Sequence, residues 1–209
     1  MISKKKSLFI GANDMHEILP NGKLSDYKDK YNEGLFIEPI PEVFEKLQKN
    51  LNQVNESYGN NFQALQALVT NKESETYDFK LYSTDNMLAS SSIFEMRKKH
   101  EKELGYKGSI KLQSTRMSSI ISSLNLNIEE YDVFLDVQGA ELEVLKSFDD
   151  HIYKIDWLHT EVSAKEIYYT GGVLFEELNS FLNKHGLFRR SKLKKIWKKA
   201  HLDVVYTRS

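Results

Sequence analysis

Cysteine is absent from this 209-residue chain. That excludes disulfide staples, thiolate nucleophiles and cysteine metal ligation, and it agrees with a reducing compartment. Proline is scarce, at three residues, two of them in Pro39-Ile40-Pro41, so no proline-rich linker divides the chain. No apolar run nears the ~20 residues of a membrane-spanning helix. Met1-Ile2-Ser3-Lys4-Lys5-Lys6 is basic but opens onto an apolar stretch too short for a secretion signal. A soluble cytoplasmic protein with no membrane partner is the expectation. Net charge is lacking too: 29 Lys and Arg against 30 Asp and Glu leave −1, which draws the chain to neither nucleic acid nor anionic membrane. What is present is a globular composition, 40% hydrophobic and 11% aromatic, of a length that suits a single domain over residues 1–209.

Short apolar runs alternate with helical patterns. Ser7-Leu8-Phe9-Ile10 reads as a strand closed by Gly11-Ala12-Asn13-Asp14, and Gly34-Leu35-Phe36-Ile37-Glu38 as a second strand ending in an acid. Residues 15–33 read as a loop with a weak helix. Pro41 suits a first helical turn, with Phe44, Leu47, Leu51 and Val54 on one face. Phe62 to Val69 reads as a third strand, and Tyr77 to Tyr82 alternates like a half-exposed antiparallel one. Residues 83–108 show little periodicity; their charged run 97–103 suits a solvated helix face. Ile110 to Gln113 is a short strand, and Met117, Ile120, Ile121 and Leu124 form a helix face. Strand 131–136, helix 140–148 and strand 155–162 follow. A helix carrying Leu174, Phe175, Leu178, Phe181, Leu182 and His185 stops at Gly186, and two strands finish between Leu187 and Thr207. The order predicts an α/β fold with a mainly parallel sheet and an antiparallel finish.

In such a sheet Gly11, Glu38 and Asp136 converge on the carboxyl edge, where ligands bind. A glycine after the first strand admits close approach of a ligand, and an acid ending the second suits a ribose diol. The loop Gly11-Ala12-Asn13-Asp14-Met15-His16-Glu17 lacks the further glycines that a pyrophosphate requires. S-adenosylmethionine is therefore favoured over a dinucleotide.

Residues 8–14, 34–51 and 135–145 (Leu-Asp-Val-Gln-Gly-Ala-Glu-Leu-Glu-Val-Leu) resemble the FkbM-type family of S-adenosylmethionine-dependent methyltransferases. So do Thr160-Glu161-Val162, Ile167-Tyr168 and the helix end Phe181 to Gly186. The resemblance implies a Rossmann-like class I methyltransferase fold: a mostly parallel seven-stranded sheet with an antiparallel C-terminal strand and helices on both faces. It implies O-methylation of a sugar or related small-metabolite hydroxyl. By position, Gly11 and Asn13 line the methionine end and Glu38 holds the ribose hydroxyls, with Ala12 and Pro39 also among the cofactor-binding residues. Ala67 and Leu68 flank the adenine, Ser91 and Ser92 lie close to the cofactor, and Asp136 sits nearest the sulfonium. The chain departs from the family where Met15-His16-Glu17 replaces the usual glycine.

Methyl transfer to oxygen requires alignment of the acceptor and removal of its proton. Asp136 is the first candidate for base or orienter, with Glu161 and Glu141 behind it; its alternative is a helix cap. Asp136 and Glu161 also offer oxygens to a divalent cation such as Mg²⁺, although such clusters equally settle by sharing protons. His159 suits a satisfied core residue, His185 a helix cap, and His16 either a solvated residue or a ligand contact. Tyr168, Tyr169, Gly171 and Gly172 form a loop that either covers substrate or merely connects. The basic stretch Arg189, Arg190, Lys192, Lys194, Lys195, Lys198 and Lys199 around Trp197 reads as a solvated turn, or as a grip on an anionic acceptor. An RNA methyltransferase using 189–199 and a non-catalytic nucleoside-binding module are the rival readings. Oligomeric state is open.

Overall fold

The computed structural model describes residues 6–19, 22–23, 26–83, 88–101, 104–190 and 201–208. Its strands are β1 (Lys6–Ile10), β2 (Glu33–Glu38), β3 (Asn61–Gln66), β4 (Leu68–Val69), β5 (Thr76–Ser83), β6 (Gly105–Thr115), β7 (Tyr131–Leu135), β8 (Trp157–Ser163), β9 (Leu187–Arg189) and β10 (His201–Arg208). The helices are α1 (Tyr27–Lys30), α2 (Pro41–Tyr58), α3 (Lys98–Glu101), α4 (Met117–Ser123), α5 (Glu141–Lys146) and α6 (Phe175–Lys184).

Seven strands form one sheet in the order β3-β2-β1-β7-β8-β10-β9. Every pairing is parallel except those of β10, which runs antiparallel to both β8 and β9. This is the expected class I methyltransferase arrangement. The order reverses between β1 and β7, and Ile10 registers with both Ile37 and Leu135. The three predicted carboxyl ends therefore finish level at the switch point, where a crevice opens.

Alternation along the strands explains the two helical layers. Leu8, Ile10, Leu35, Ile37, Val133 and Leu135 pack with Ile120 of α4, Leu142 of α5 and Leu178 of α6. The intervening Phe9, Phe36 and Phe134 turn to the other face and pack with Tyr27 of α1 and Leu47, Leu51 and Val54 of α2. Pro41 does open α2, whose buried face is Val43, Leu47, Leu51 and Val54; Phe44 is only partly buried. The weak helix expected in 15–33 is α1, preceded by a 3-10 turn at His16–Ile18.

The chain departs from expectation where a second, three-stranded sheet forms in the order β4-β6-β5. The supposed third strand Phe62 to Val69 breaks at Ala67. Its first part joins the main sheet as β3 and its last two residues join the small one as β4. Ile110 to Gln113 extends to the eleven residues of β6, paired antiparallel to β5. Leu124 is not part of the buried face of α4; it follows the last turn and is 47% exposed. Within the charged run, His100 of α3 is buried against Tyr168, while Lys98 and Lys99 are exposed. Among the described residues no helix is long and apolar enough to cross a membrane.

Candidate functional site

At the end of β1, Gly11 has φ +82°, and a Cβ there would lie 1.8 Å from the carbonyl oxygen of Asp136. Glycine is thus required by the passage of β1 past the end of β7, a constraint separate from the ligand approach that the sequence suggested. The Gly11 and Ala12 N–H groups both donate to the Ile37 carbonyl, at 3.0 Å each. The chain then turns through Asn13, a non-glycine residue at φ 51°. The Asn13 N–H donates to Glu38 Oε2 and the Ile40 N–H to Glu38 Oε1, each at 2.9 Å. Glu38 is only 5% exposed. Burial pushes its carboxyl up to about 7, against the pull of those two N–H donors.

Glu38 borders a cavity enclosing about 580 Å³, part of it open to solvent. Of the residues named from sequence, Gly11, Asn13, Glu38, Pro39, Ala67, Leu68, Ser91 and Asp136 line it. Ala12 does not: it is buried in the core with Met15 and Ile18. Ser92 is withdrawn as well, fully buried, its hydroxyl donating to the Gln138 carbonyl at 2.8 Å. Sequence reasoning missed the apolar wall of Ile10, Ile37, Ile40, Val43, Val69, Phe79, Leu88, Ala89 and Ile93, and the turn residues Val137, Gln138 and Ala140. Ile10 and Ile37 carried a signal, as the last apolar residues of their strands. Phe79 and Ile93 carried none, because they arrive with the small sheet. No lysine, arginine or histidine lines the cavity among the described residues.

The three proposed catalytic carboxylates do not share one surface. Asp136 is exposed and faces the cavity. Glu141 is buried, and its Oε1 accepts the N–H groups of Val137 (3.3 Å) and Gly139 (3.1 Å). It closes the turn that starts α5, a role signalled by an acid in a first helical turn. Burial, reinforced by Glu161 and Asp136, raises its carboxyl to about 7. Glu161 is half-buried on β8 opposite Asp203 and lies outside the cavity lining. Among the described residues no three His, Asp or Glu side chains assemble a metal cluster. The expectation of a cation on Asp136 and Glu161 therefore finds no built site.

The loop after β8 packs against the turn that follows Asp136. The Thr170 N–H donates to the Glu95 carbonyl (2.7 Å) and the Arg97 N–H to the Tyr168 carbonyl (2.8 Å), so residues 95–97 and 168–170 zip together. Gly171 packs under Phe94. Tyr169 is buried, its ring against Gly139, and its phenol is held far above its usual range by burial and by Glu161, Glu141 and Asp136.

His16 pairs with Asp14 through Nδ1 at 2.7 Å and lies outside the cavity lining. His159 packs between Phe134 and Trp157, with Asp203 3.8 Å away, and burial lowers its pKa. His185 Nδ1 bonds the Phe181 carbonyl at the end of α6. Of the basic stretch, Arg189 and Arg190 are described; Lys192, Lys194, Lys195, Trp197, Lys198 and Lys199 lie outside the described residues.

Comparison with known proteins supplies the family. The crystal structure of methyltransferase FkbM from Methylobacillus flagellatus matches with a TM-score of 0.56 at 13% identity, over 98% of this chain and 43% of that one. This chain thus spans less than half the length of that relative, and the likeness is one of fold. The METTL16 MTase domain (TM-score 0.48, 12% identity, 98% of this chain and 59% of that one) and human methyltransferase 10 domain containing protein (0.44, 12%, 98% and 72%) are also similar. No curated protein matches the chain. The family model of the methyltransferase FkbM domain, however, covers residues 10–188, from the end of β1 into β9. Over that span the chain belongs to the FkbM methyltransferase-domain family.

Proposed function

We propose that this methyltransferase-family chain uses S-adenosylmethionine and transfers its methyl group to a hydroxyl oxygen of a carbohydrate or related small metabolite. The observation that carries the cofactor reading is the cavity itself: an apolar slot with one buried carboxylate, Glu38, at its β2 end and no cationic lining. Apolar walls from Ile37, Leu68, Phe79 and Ile93 suit an adenine, and Glu38 suits a ribose diol. A pyrophosphate finds no counter-charge there. When bound, the cofactor supplies an electrophilic methyl on a sulfonium.

The protein's own contribution is placement. Asn13 and Ile40 orient Glu38 through their N–H groups. Asp136 stands at the cavity mouth, where a carboxylate orients an acceptor hydroxyl or takes its proton. The zipped loops 95–97 and 168–170 brace the turn that follows Asp136, through Tyr169 against Gly139 and Gln138. The proposed chemistry uses the Asp136 carboxylate and the positioning of the acceptor, and the EDTA arm below tests whether a divalent cation contributes. A small neutral acceptor fits this acidic edge better than a nucleic acid, and oligomeric state has no bearing on the proposal.

Calorimetry with S-adenosylhomocysteine tests the cofactor, and a panel of sugars and nucleotide sugars assayed for S-adenosylhomocysteine release tests the acceptor class. Micromolar binding and release that persists in EDTA are the expected results. No binding of S-adenosylhomocysteine overturns the proposal; release with RNA but with no carbohydrate overturns the acceptor class.

A further inference from the structure

The turn after Asp136 contains a residue whose backbone and side chain are both held. Gln138 has φ 53°, a left-handed conformation that a long non-glycine side chain rarely adopts. Its carbonyl accepts the Ser92 hydroxyl at 2.8 Å, and Ser92 is 1% exposed. Its amide lies between Asp136 Oδ1, 2.6 Å away, and the Tyr169 hydroxyl, 3.2 Å away. Chemistry decides which end of that amide is which. A carboxylate only accepts, so Nε2 points to Asp136 and Oε1 to Tyr169. The single phenolic proton of Tyr169 is nearer the Ser90 carbonyl, at 2.7 Å, and leans on Gln138 Oε1 as a second acceptor. Burial raises the Tyr169 pKa, so it stays a donor. Gln138 thus ties Asp136 to Tyr169 of the loop after β8.

Resting on the cofactor and acceptor reading above, we propose that Gln138 is a positioning residue for Asp136, presenting that carboxylate to the acceptor and sustaining its charge through the amide N–H. Backbone strain at a fully determined position next to reacting groups is the usual mark of such a role. The amide also matters for its neutrality. Asp136, Glu141 and Glu161 already influence one another across this turn, and a fourth carboxylate at 138 would add like charge where Gln138 adds a donor.

Gln138→Glu and Gln138→Leu test this, with Tyr169→Phe as a third variant in case either misfolds. The direct readout is the carboxyl ¹³C NMR titration of Asp136, assigned through Asp136→Asn. The expected result is an Asp136 titration moved about one pH unit upward in Gln138→Leu and further in Gln138→Glu, following the loss of a donor to a charged acceptor. With an acceptor from the panel, kcat falls about 10- to 100-fold and its acid limb moves up in pH. An unmoved Asp136 titration in folded variants overturns the proposal, as does an unmoved kcat profile. S-adenosylhomocysteine affinity of the unaltered protein is measured alongside. Its absence defeats the cofactor reading, while the titration still decides whether Gln138 governs Asp136.

Discussion

Burial pushes the Glu38 and Glu141 carboxyls up to about 7, yet they face different neighbours. Glu141 looks inward to backbone N–H groups, whereas Glu38 also borders the cavity. A diol donates hydrogen bonds best to the ionised form, so on the proposed reading cofactor binding at Glu38 releases a proton. Affinity for S-adenosylhomocysteine then rises with pH through about 7, by roughly three- to tenfold between pH 6 and 8. Glu38→Gln abolishes that dependence and weakens binding at pH 8 by at least about tenfold, the worth of hydrogen bonds to a charged group. Isothermal titration at three pH values measures both. A Glu38→Gln variant with the same affinity and slope removes Glu38 from the site.

Strand ends carry the legible part of this protein, and their meeting with other elements carries the rest. Gly11, Glu38 and Asp136 were readable because a parallel sheet brings every carboxyl end to one edge. The break at Ala67 was not, since Phe62 to Val69 carries no proline or glycine to mark an interruption, and periodicity along a strand says nothing about which sheet it joins. Part of the cavity wall depends on that break, because Phe79, Leu88 and Ile93 pack with Leu68 of the small sheet. Glu141 was read as catalytic from its place beside Asp136; only the fold shows that its carboxylate turns back onto the Val137 and Gly139 N–H groups. At the junction of β1 and β7 the requirement is strict. Gly11→Ala places a methyl against the Asp136 carbonyl in a disfavoured backbone region. It should cost about 3 kcal/mol or more, measured as a lowered urea midpoint, and should weaken S-adenosylhomocysteine binding together with it. A Gly11→Ala protein of unchanged stability shows the junction to be looser than described.

For the whole molecule, buried carboxyls set a pH dependence of stability. A carboxyl whose folded pKa is raised keeps its proton in the native state while the unfolded chain releases it. Stability is therefore full below about 4.5 and declines as pH rises to about 7. His159, lowered by burial, acts in the opposite sense, gaining stability as pH rises toward 6.5. Comparison with Glu141→Gln isolates one contribution. The variant loses much of the decline between pH 5 and 8 and is more stable than the parent at pH 8, by up to about 3 kcal/mol. Urea unfolding across that range measures it. An equally steep decline in the variant assigns the pH dependence elsewhere.

The antiparallel strand β10 has a consequence in time. Synthesis makes β9 before β10, yet β10 lies between β9 and β8. While residues 201–208 remain within the ribosome, β9 has no partner in the main sheet and β8 shows an edge of unpaired N–H and C=O groups. The crevice between β1 and β7 can form in a nascent chain whose far edge is still open. During that interval the chain is exposed to pairing with its neighbours on the same message.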